Sequence, residues 1–244
     1  MTTPLFSLLH ATYGRPQKAY EAMRRFRLRS SMDYCHEYIF ACNSDDPTVP
    51  QLRELLEKDD PIVQWARVEI VEGEFKGSAP AWDAAAKAST GQILVQAQDD
   101  VEPPPEWDHR LIEKLIAEVP APTWRTVPFF IQVSDGYRRD SLMCSAICSR
   151  PYYELKGEFL HSGYLSVFSD DEFSVRAYCD AADRVCQWIE AREIVFKHEH
   201  HYHNHAVPMD ATYQRENSAE AYTHGQKLFL ERNQRQLNRG FRTW

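Results

Sequence analysis

The segment Gly91-Gln-Ile-Leu-Val-Gln-Ala-Gln-Asp-Asp100 constrains the fold more than any other, because an apolar strand pattern runs straight into two adjacent carboxylates. Three prolines follow almost at once, at Pro103, Pro104 and Pro105. A continuous apolar run bounded by turn residues reads as a strand buried in a mainly parallel sheet. In such sheets ligands bind beyond the carboxyl ends of the strands, where Asp99 and Asp100 fall. Two carboxylates side by side repel each other unless water or a cation screens them. Hard oxygen ligands suit Mg²⁺ or Mn²⁺, ions usually shared with a substrate's phosphates. The plain alternative is a solvated acidic turn ahead of a helix that starts at the prolines.

The first half of the chain repeats this strand-then-helix alternation, the signature of βα units. Strands are expected at Leu5–Ala11, Tyr38–Cys42, Arg67–Val71 and Gln92–Ala97, with helices at Pro16–Leu28, Gln51–Lys58, Ser78 or Pro80 to Ser89, and Pro105–Val119. Pro16 suits a first helical turn. Beyond this point the alternation loosens. Val127–Val133, Met143–Cys148 and Glu193–Lys197 read as strands, the first near an edge because prolines flank it. Phe173–Ala182 and Ala219–Leu237 read as helices. With 244 residues, 43% of them hydrophobic, the chain can bury a sizeable core. The expectation is an α/β fold, a mixed but mainly parallel sheet flanked by helices in a single domain.

Composition narrows the function classes. No apolar stretch is long enough to span a bilayer, and the start lacks the basic flank and cleavage site of a signal peptide. The six cysteines form no CxxC pair, which fits buried, reduced thiols in a cytoplasmic protein. A net charge of −8 argues against gripping nucleic acid by bulk electrostatics. The arginine clusters at Arg24, Arg25, Arg27 and Arg29, and at Arg232, Arg235, Arg239 and Arg242, read as solvated helix faces.

Four loops at strand ends carry polar residues: His10 to Pro16 with Thr12, Tyr13 and Arg15; Asn43, Ser44, Asp45 and Asp46; Gly77 to Trp82 and Asp83; and Gln98 to Asp100. Turn chemistry alone explains each one. Together on one sheet edge they would make a cleft, with Thr12, Tyr13 and Arg15 able to hold a base or phosphate. Ser169-Asp-Asp-Glu-Phe173 enters a helix, either as a capped acidic first turn or as the seat of a general base. In His198-Glu-His-His-Tyr-His-Asn-His205, His198 and His200 would share one strand face and His201 and His203 the other. One of them could join the aspartate pair on a metal, or the run is a solvent-exposed loop. Tyr137, Arg138 and Arg139, after Asp135-Gly136, form a polar loop that could line an acceptor or be a surface turn.

In this order these residues resemble the GT-A glycosyltransferases, particularly the inverting family-2 type, over about residues 4–205. Leu8-Leu-His-Ala-Thr-Tyr-Gly-Arg-Pro16 is similar to that family's opening strand and Pro-Thr-Tyr-Asn-Arg loop, with Gly14 in place of the common Asn. Phe40-Ala-Cys-Asn-Ser-Asp-Asp46 is similar to the loop that holds the base, with Asn43 where Asp is common. Gly77 to Gly91 resembles the region before the metal motif. Gln98-Asp99-Asp100 takes the place of Asp-x-Asp, whose usual first Asp is Ala97 or Gln98 here.

The resemblance implies a GT-A (Rossmann-like) fold and transfer of a sugar from a nucleotide-diphosphate-sugar, UDP-sugar by family default. It implies Mn²⁺ or Mg²⁺ on Asp99, Asp100 and His198 or His200. It implies Asp171, or failing it Asp170, as catalytic base, with inversion. Donor contacts would come from Thr12, Tyr13, Arg15, Asn43, Asp45, Asp46, Trp82, Asp83 and Gln98. Residues 1–100 would form the nucleotide-sugar half, 101–210 the acceptor and catalytic half, and 211–244 a C-terminal helix and tail. The acceptor could be a glycan, a small molecule or a modified nucleic-acid base, and the oligomeric state is open. The rival readings are a nucleotidyltransferase, which usually wants a richer glycine loop than Gly14-Arg15, and a non-catalytic sugar- or nucleotide-binding module.

Overall fold

The computed structural model describes residues 4–58, 65, 67–201, 205, 207 and 209–242. Its first half follows the alternation closely: β1 (Phe6–Thr12), α1 (Pro16–Leu28), β2 (His36–Asn43), α2 (Val49–Leu56), β3 (Arg67–Gly73), α3 (Ser78–Ala88) and β4 (Ile93–Ala97). There follow β5 (Val101–Glu102), α4 (Trp107–Glu118), β6 (Phe129–Ser134), β7 (Ile147–Ser149), α5 (Arg150–Lys156) and α6 (Ser169–Ala182). The chain closes with β8 (Gln187–Val195), β9 (Lys197–His198), α7 (Ala211–Glu216) and α8 (Ala219–Asn238).

Seven strands form one sheet in the order β3-β2-β1-β4-β7-β6-β8. All run parallel except β7, which is antiparallel to both β4 and β6. Successive strand side chains point to opposite faces, so the sheet divides the core in two. Phe6, Leu8, Phe40, Val95 and Ile131 pack on one face with α1, α2 and α4. Leu9, Ile39, Leu94 and Phe130 pack on the other with α3, α5, α6 and Phe229 of α8.

Three expectations need correcting. β6 lies inside the sheet, between β7 and β8, because Pro128 precedes the ladder and contributes only its carbonyl, to Gln187 N at 2.9 Å. The stretch expected to be a strand from Met143 pairs only over Ile147–Ser149; before it, Ala146 N is held by the Gln96 side chain at 2.9 Å. The strand expected from Glu193, β8, begins at Gln187, and its exposed Glu190 and Glu193 blunt a sheet edge.

A second, two-stranded sheet matters more for function. β5 pairs antiparallel with β9, setting Val101 against His198 and Glu102 against Lys197. Glu199 N donates to Asp100 O at 2.7 Å. This clasp draws the histidine segment onto the acidic turn after β4. No helix among the described residues is long and apolar enough to cross a membrane.

Candidate active site

The carboxyl ends of β1, β2 and β4 open into a cavity of about 1050 Å³. Thr12, Tyr13, Arg15, Asn43, Trp82, Gln98, Asp99, Asp100, Asp170, Asp171, His198 and His200 all line it. Residues spread over most of the chain thus meet on one sheet edge, as expected from the strand ends.

The two motif carboxylates sit in different environments. Asp99 accepts from Arg15 at 3.0 Å, and its carbonyl accepts from Arg25 at 2.9 Å. Burial and the Asp100 charge still raise the Asp99 pKa despite Arg15. Arg15 is shared: it also pairs with Asp210, and these carboxylates raise its pKa against its own burial. Asp100 Oδ2 stands 3.4 Å from His198 Nε2. Burial favours the neutral form of both partners, but their mutual attraction wins, lowering the Asp100 pKa and raising that of His198. The His200 ring lies tilted beside His198, with ring centres 5.0 Å apart, and meets Tyr213 at 4.9 Å.

Among the described residues no three His, Cys, Asp or Glu side chains form a ready cage for a metal. The Asp100–His198 pair nonetheless fits one. Two donors 3.4 Å apart can share an ion about 2.1 Å from each, leaving the other positions to water and phosphate. Such an open, two-ligand arrangement suits an ion brought in with an anionic substrate.

At the first turn of α6, Asp170 lies in the cavity wall. Burial and the neighbouring Asp171 carboxylate push its pKa up to about 7, against the pull of Arg138. Its carbonyl accepts from Ser174 Oγ at 2.7 Å, which in turn accepts from Met143 N at 2.9 Å, fixing the turn. Glu172, one turn position on, is committed elsewhere. Its carboxylate takes a forked hydrogen bond from Arg232 at 2.8 to 3.0 Å, together with the Tyr164 hydroxyl and Asn233.

On the β1 side, Thr12 Oγ1 is buried with no hydrogen-bond partner among the described residues. A buried hydroxyl left unpaired is costly and marks a place for a ligand atom. Asn43 holds the Phe75 backbone through both side-chain atoms, at 3.0 and 3.3 Å. Trp82 donates to Ala97 O at 3.2 Å, and Gln98 to Cys144 O at 2.8 Å.

Three expected donor contacts do not line the cavity. Asp45 lies exposed in the turn after β2. Asp46 builds that turn, accepting from Gly14 N at 2.8 Å and from Thr48 N at 2.9 Å. Asp83 is buried, holding Phe159 N at 2.8 Å and Lys87 at 2.7 Å. His10, at the end of the same β1 pattern, is also structural: it bonds Tyr38 in the core, and burial lowers its pKa to about 3. In the polar loop Arg138 lines the cavity, whereas Tyr137 and Arg139 do not. His203 lies outside the described residues.

The C-terminal contribution went unread in the sequence. α7 covers the β1 loop: Thr212 Oγ1 donates to Tyr13 O at 3.0 Å, the Arg215 guanidinium lies 4.2 Å from the Tyr13 ring centre, and Ser78 Oγ donates to Glu216 at 3.0 Å. Asp210 caps this helix, accepting from Tyr213 N at 2.9 Å. An Asp followed by three helix-compatible residues was the available signal. Tyr222, Gln226 and Leu230 of α8 complete the wall.

Residues 11–178 match the model of the family described as Glycosyl transferase family 2, more than half of the chain. Among solved structures, residues 1–349 of S. aureus TarS in complex with UDP align with a TM-score of 0.56 at 11% identity, over 79% of this chain and 59% of that one. The mannosyltransferase PcManGT from Pyrobaculum calidifontis, in complex with GDP-Man and Mn²⁺, aligns at 0.54 and 15% identity, over 82% and 58%. TarS in complex with UDP-GlcNAc aligns at 0.53 and 11% identity, over 93% and 71%. The present chain spans under two thirds of the first two structures, and at these identities the likeness is one of fold. A sequence search of curated proteins gave no match.

Proposed function

Because the chain belongs to glycosyl transferase family 2 and shares the GT-A fold of its structural neighbours, we propose that it moves a sugar from a nucleotide-diphosphate-sugar to an acceptor hydroxyl, inverting the anomeric centre. The observation that carries this reading is the convergence, in one cavity, of the Asp100–His198 pair and a carboxylate whose proton affinity is tuned to neutrality.

Asp170 is the base in this reading, with Asp171 beside it in the same cavity wall. A base works best when its pKa lies near the working pH, and Asp170 meets that condition at about 7. It removes the acceptor proton as the hydroxyl attacks the face opposite the leaving diphosphate. Asp100 and His198 would hold Mn²⁺ or Mg²⁺, and His200 lies beside His198. The ion, when bound, neutralises charge on the departing diphosphate. Asp99 serves less as a ligand than as the partner that Arg15 orients. Thr12, Tyr13, Arg15 and Asn43 receive the nucleotide, with a UDP-sugar as the favoured donor, and Trp82 and Gln98 face the sugar. In this reading residues 1–100 serve the donor and 101–210 the chemistry and part of the acceptor side, while α7 and α8 close the cavity. No disulfide links any of the six cysteines, which supports work in the cytoplasm.

The test is direct. Incubation with UDP- and GDP-sugars and Mn²⁺ should release nucleoside diphosphate from one of them, and Asp170→Asn should abolish release while keeping donor affinity. Release unaffected by Asp170→Asn would remove the base assignment. Donor affinity unchanged in excess chelator would remove the metal.

A further inference from the structure

We infer that the α8 wall of the cavity is the acceptor subsite and that it takes a neutral saccharide; this rests on the glycosyl-transfer reading above. α8 carries two adjoining stripes one residue apart in register, each with a residue every four positions. Ala221, Gly225, Phe229 and Asn233 are buried, and a Cβ on Gly225 would stand 2.6 Å from Val167 O, so the helix sits directly against the loop before α6. Tyr222, Gln226 and Leu230 form the adjoining stripe and line the cavity. Tyr222 remains 54% exposed and Leu230 45%, so the stripe offers open apolar surface to whatever enters. The Tyr222 ring meets Phe168 edge-on at 5.0 Å, and Phe168 stands two residues before Asp170. The stripe therefore adjoins the base.

The chemistry of the wall selects its ligand. A pyranose presents a C–H face that covers an aromatic ring and a rim of hydroxyls that exchange hydrogen bonds with amides. Tyr222 supplies the ring, and the Gln226 amide, which makes no hydrogen bond among the described residues, supplies both donor and acceptor. Among the described residues no cation of α8 lines the cavity. Of the cations that neighbouring elements bring to it, Arg215 holds Glu216 at 2.8 Å while lying over Tyr13, Arg138 holds Asp140 at 2.5 Å, and Lys76 lies in the loop before α3. A phosphorylated acceptor would find no unpaired cation on α8 near the base, whereas an uncharged sugar needs none. In the transfer, the acceptor oxygen bonds to the anomeric carbon and the bond from that carbon to the diphosphate oxygen breaks. The hydroxyl proton passes to Asp170, and nucleoside diphosphate leaves.

The experiment has two stages on the full chain. Release of nucleoside diphosphate from the donor panel with Mn²⁺ tests glycosyl transfer itself; no release from any donor overturns that reading and takes this inference with it. With the active donor, neutral methyl glycosides and disaccharides are compared as acceptors with the corresponding sugar phosphates. The expected result is transfer to a neutral glycoside, an acceptor KM raised about tenfold by Tyr222→Ala and by Gln226→Ala, and recovery in Tyr222→Phe, which keeps the ring. Binding of UDP, measured calorimetrically, reports that each variant is folded. Preference for sugar phosphates, or an acceptor KM indifferent to both alanine variants, overturns the inference while leaving glycosyl transfer standing.

Discussion

Asp170 is under opposing demands. Its pKa is raised to about 7 by burial and by Asp171, so between the ordinary carboxylate range and neutrality the folded chain binds a proton that the unfolded chain has already lost. Stability from this group therefore falls as pH rises across that window. Catalytic competence moves the other way, because only the ionised form accepts a proton. In the metal-free protein, thermal stability at pH 8 should gain from Asp170→Asn, and at pH 4 it should not. In the wild type kcat/KM should climb with pH towards neutrality, with a bound cation shifting the rise downwards. The variant should lose about 10²- to 10⁴-fold in kcat. The motif aspartates also separate at this scale. Asp100 faces His198 and Asp99 faces Arg15, so Asp100→Asn should weaken Mn²⁺ binding far more than Asp99→Asn. Titration followed by electron paramagnetic resonance reads this, and equal losses would mean that Asp99 leaves Arg15 to join the ion.

At the level of elements, the seating of α8 on α6 depends on Glu172, whose side chain is only 6% exposed, and Arg232. The carboxylate pKa is lowered: burial opposes ionisation, but Arg232 and the Tyr164 hydroxyl outweigh it. Its stabilisation is present above the unfolded value of 4.5 and is lost as pH falls through the lower folded one. Arg232→Ala leaves that charge buried without its cation and should cost about 3 kcal/mol in urea unfolding at pH 7. Hydrogen exchange should show α8 opening first. Much of the element plan was legible: α1 was delimited from its proline to its last residue, and β1 to β4 were found within two residues at every end. Those elements rest on local periodicity and caps. β5, β9 and β7 are two or three residues long and exist only because a distant partner pairs with them. The expected strands Met143–Cys148 and Glu193–Lys197 overlap β7 and β9 by one or two residues, but no local pattern sets where these short strands begin and end.

For the whole molecule, the cavity draws walls from the first strand to the last helix. Nucleotide and Mn²⁺ should thus stabilise the entire chain: at a ligand excess of about 100 Kd the gain is about 2.7 kcal/mol, seen as a raised Tm. Exchange protection should appear both in the β1 loop and in α7, two segments that touch through Tyr13, Thr212 and Arg215. Protection confined to residues before 100 would show that α7 does not close on ligand. The sequence order of motifs led to most of the cavity, because strand ends of a parallel sheet share an edge by topology. It could not separate Asp46 and Asp83, which serve the fold, from Asn43 and Trp82, which face the cavity. Turn-building and ligand-holding draw on the same residue types, and only packing tells them apart.

The two-rung clasp between β5 and β9 has a consequence for how such a protein can diversify. Asp100 falls within the stretch shared with its family, 11–178, whereas His198 falls outside it. On the ion site proposed above, half of the protein's grip would therefore travel with the same C-terminal segment as α7 and α8. Grafting another tail after α6 would exchange metal preference and acceptor choice in a single event, while leaving nucleotide recognition where it was.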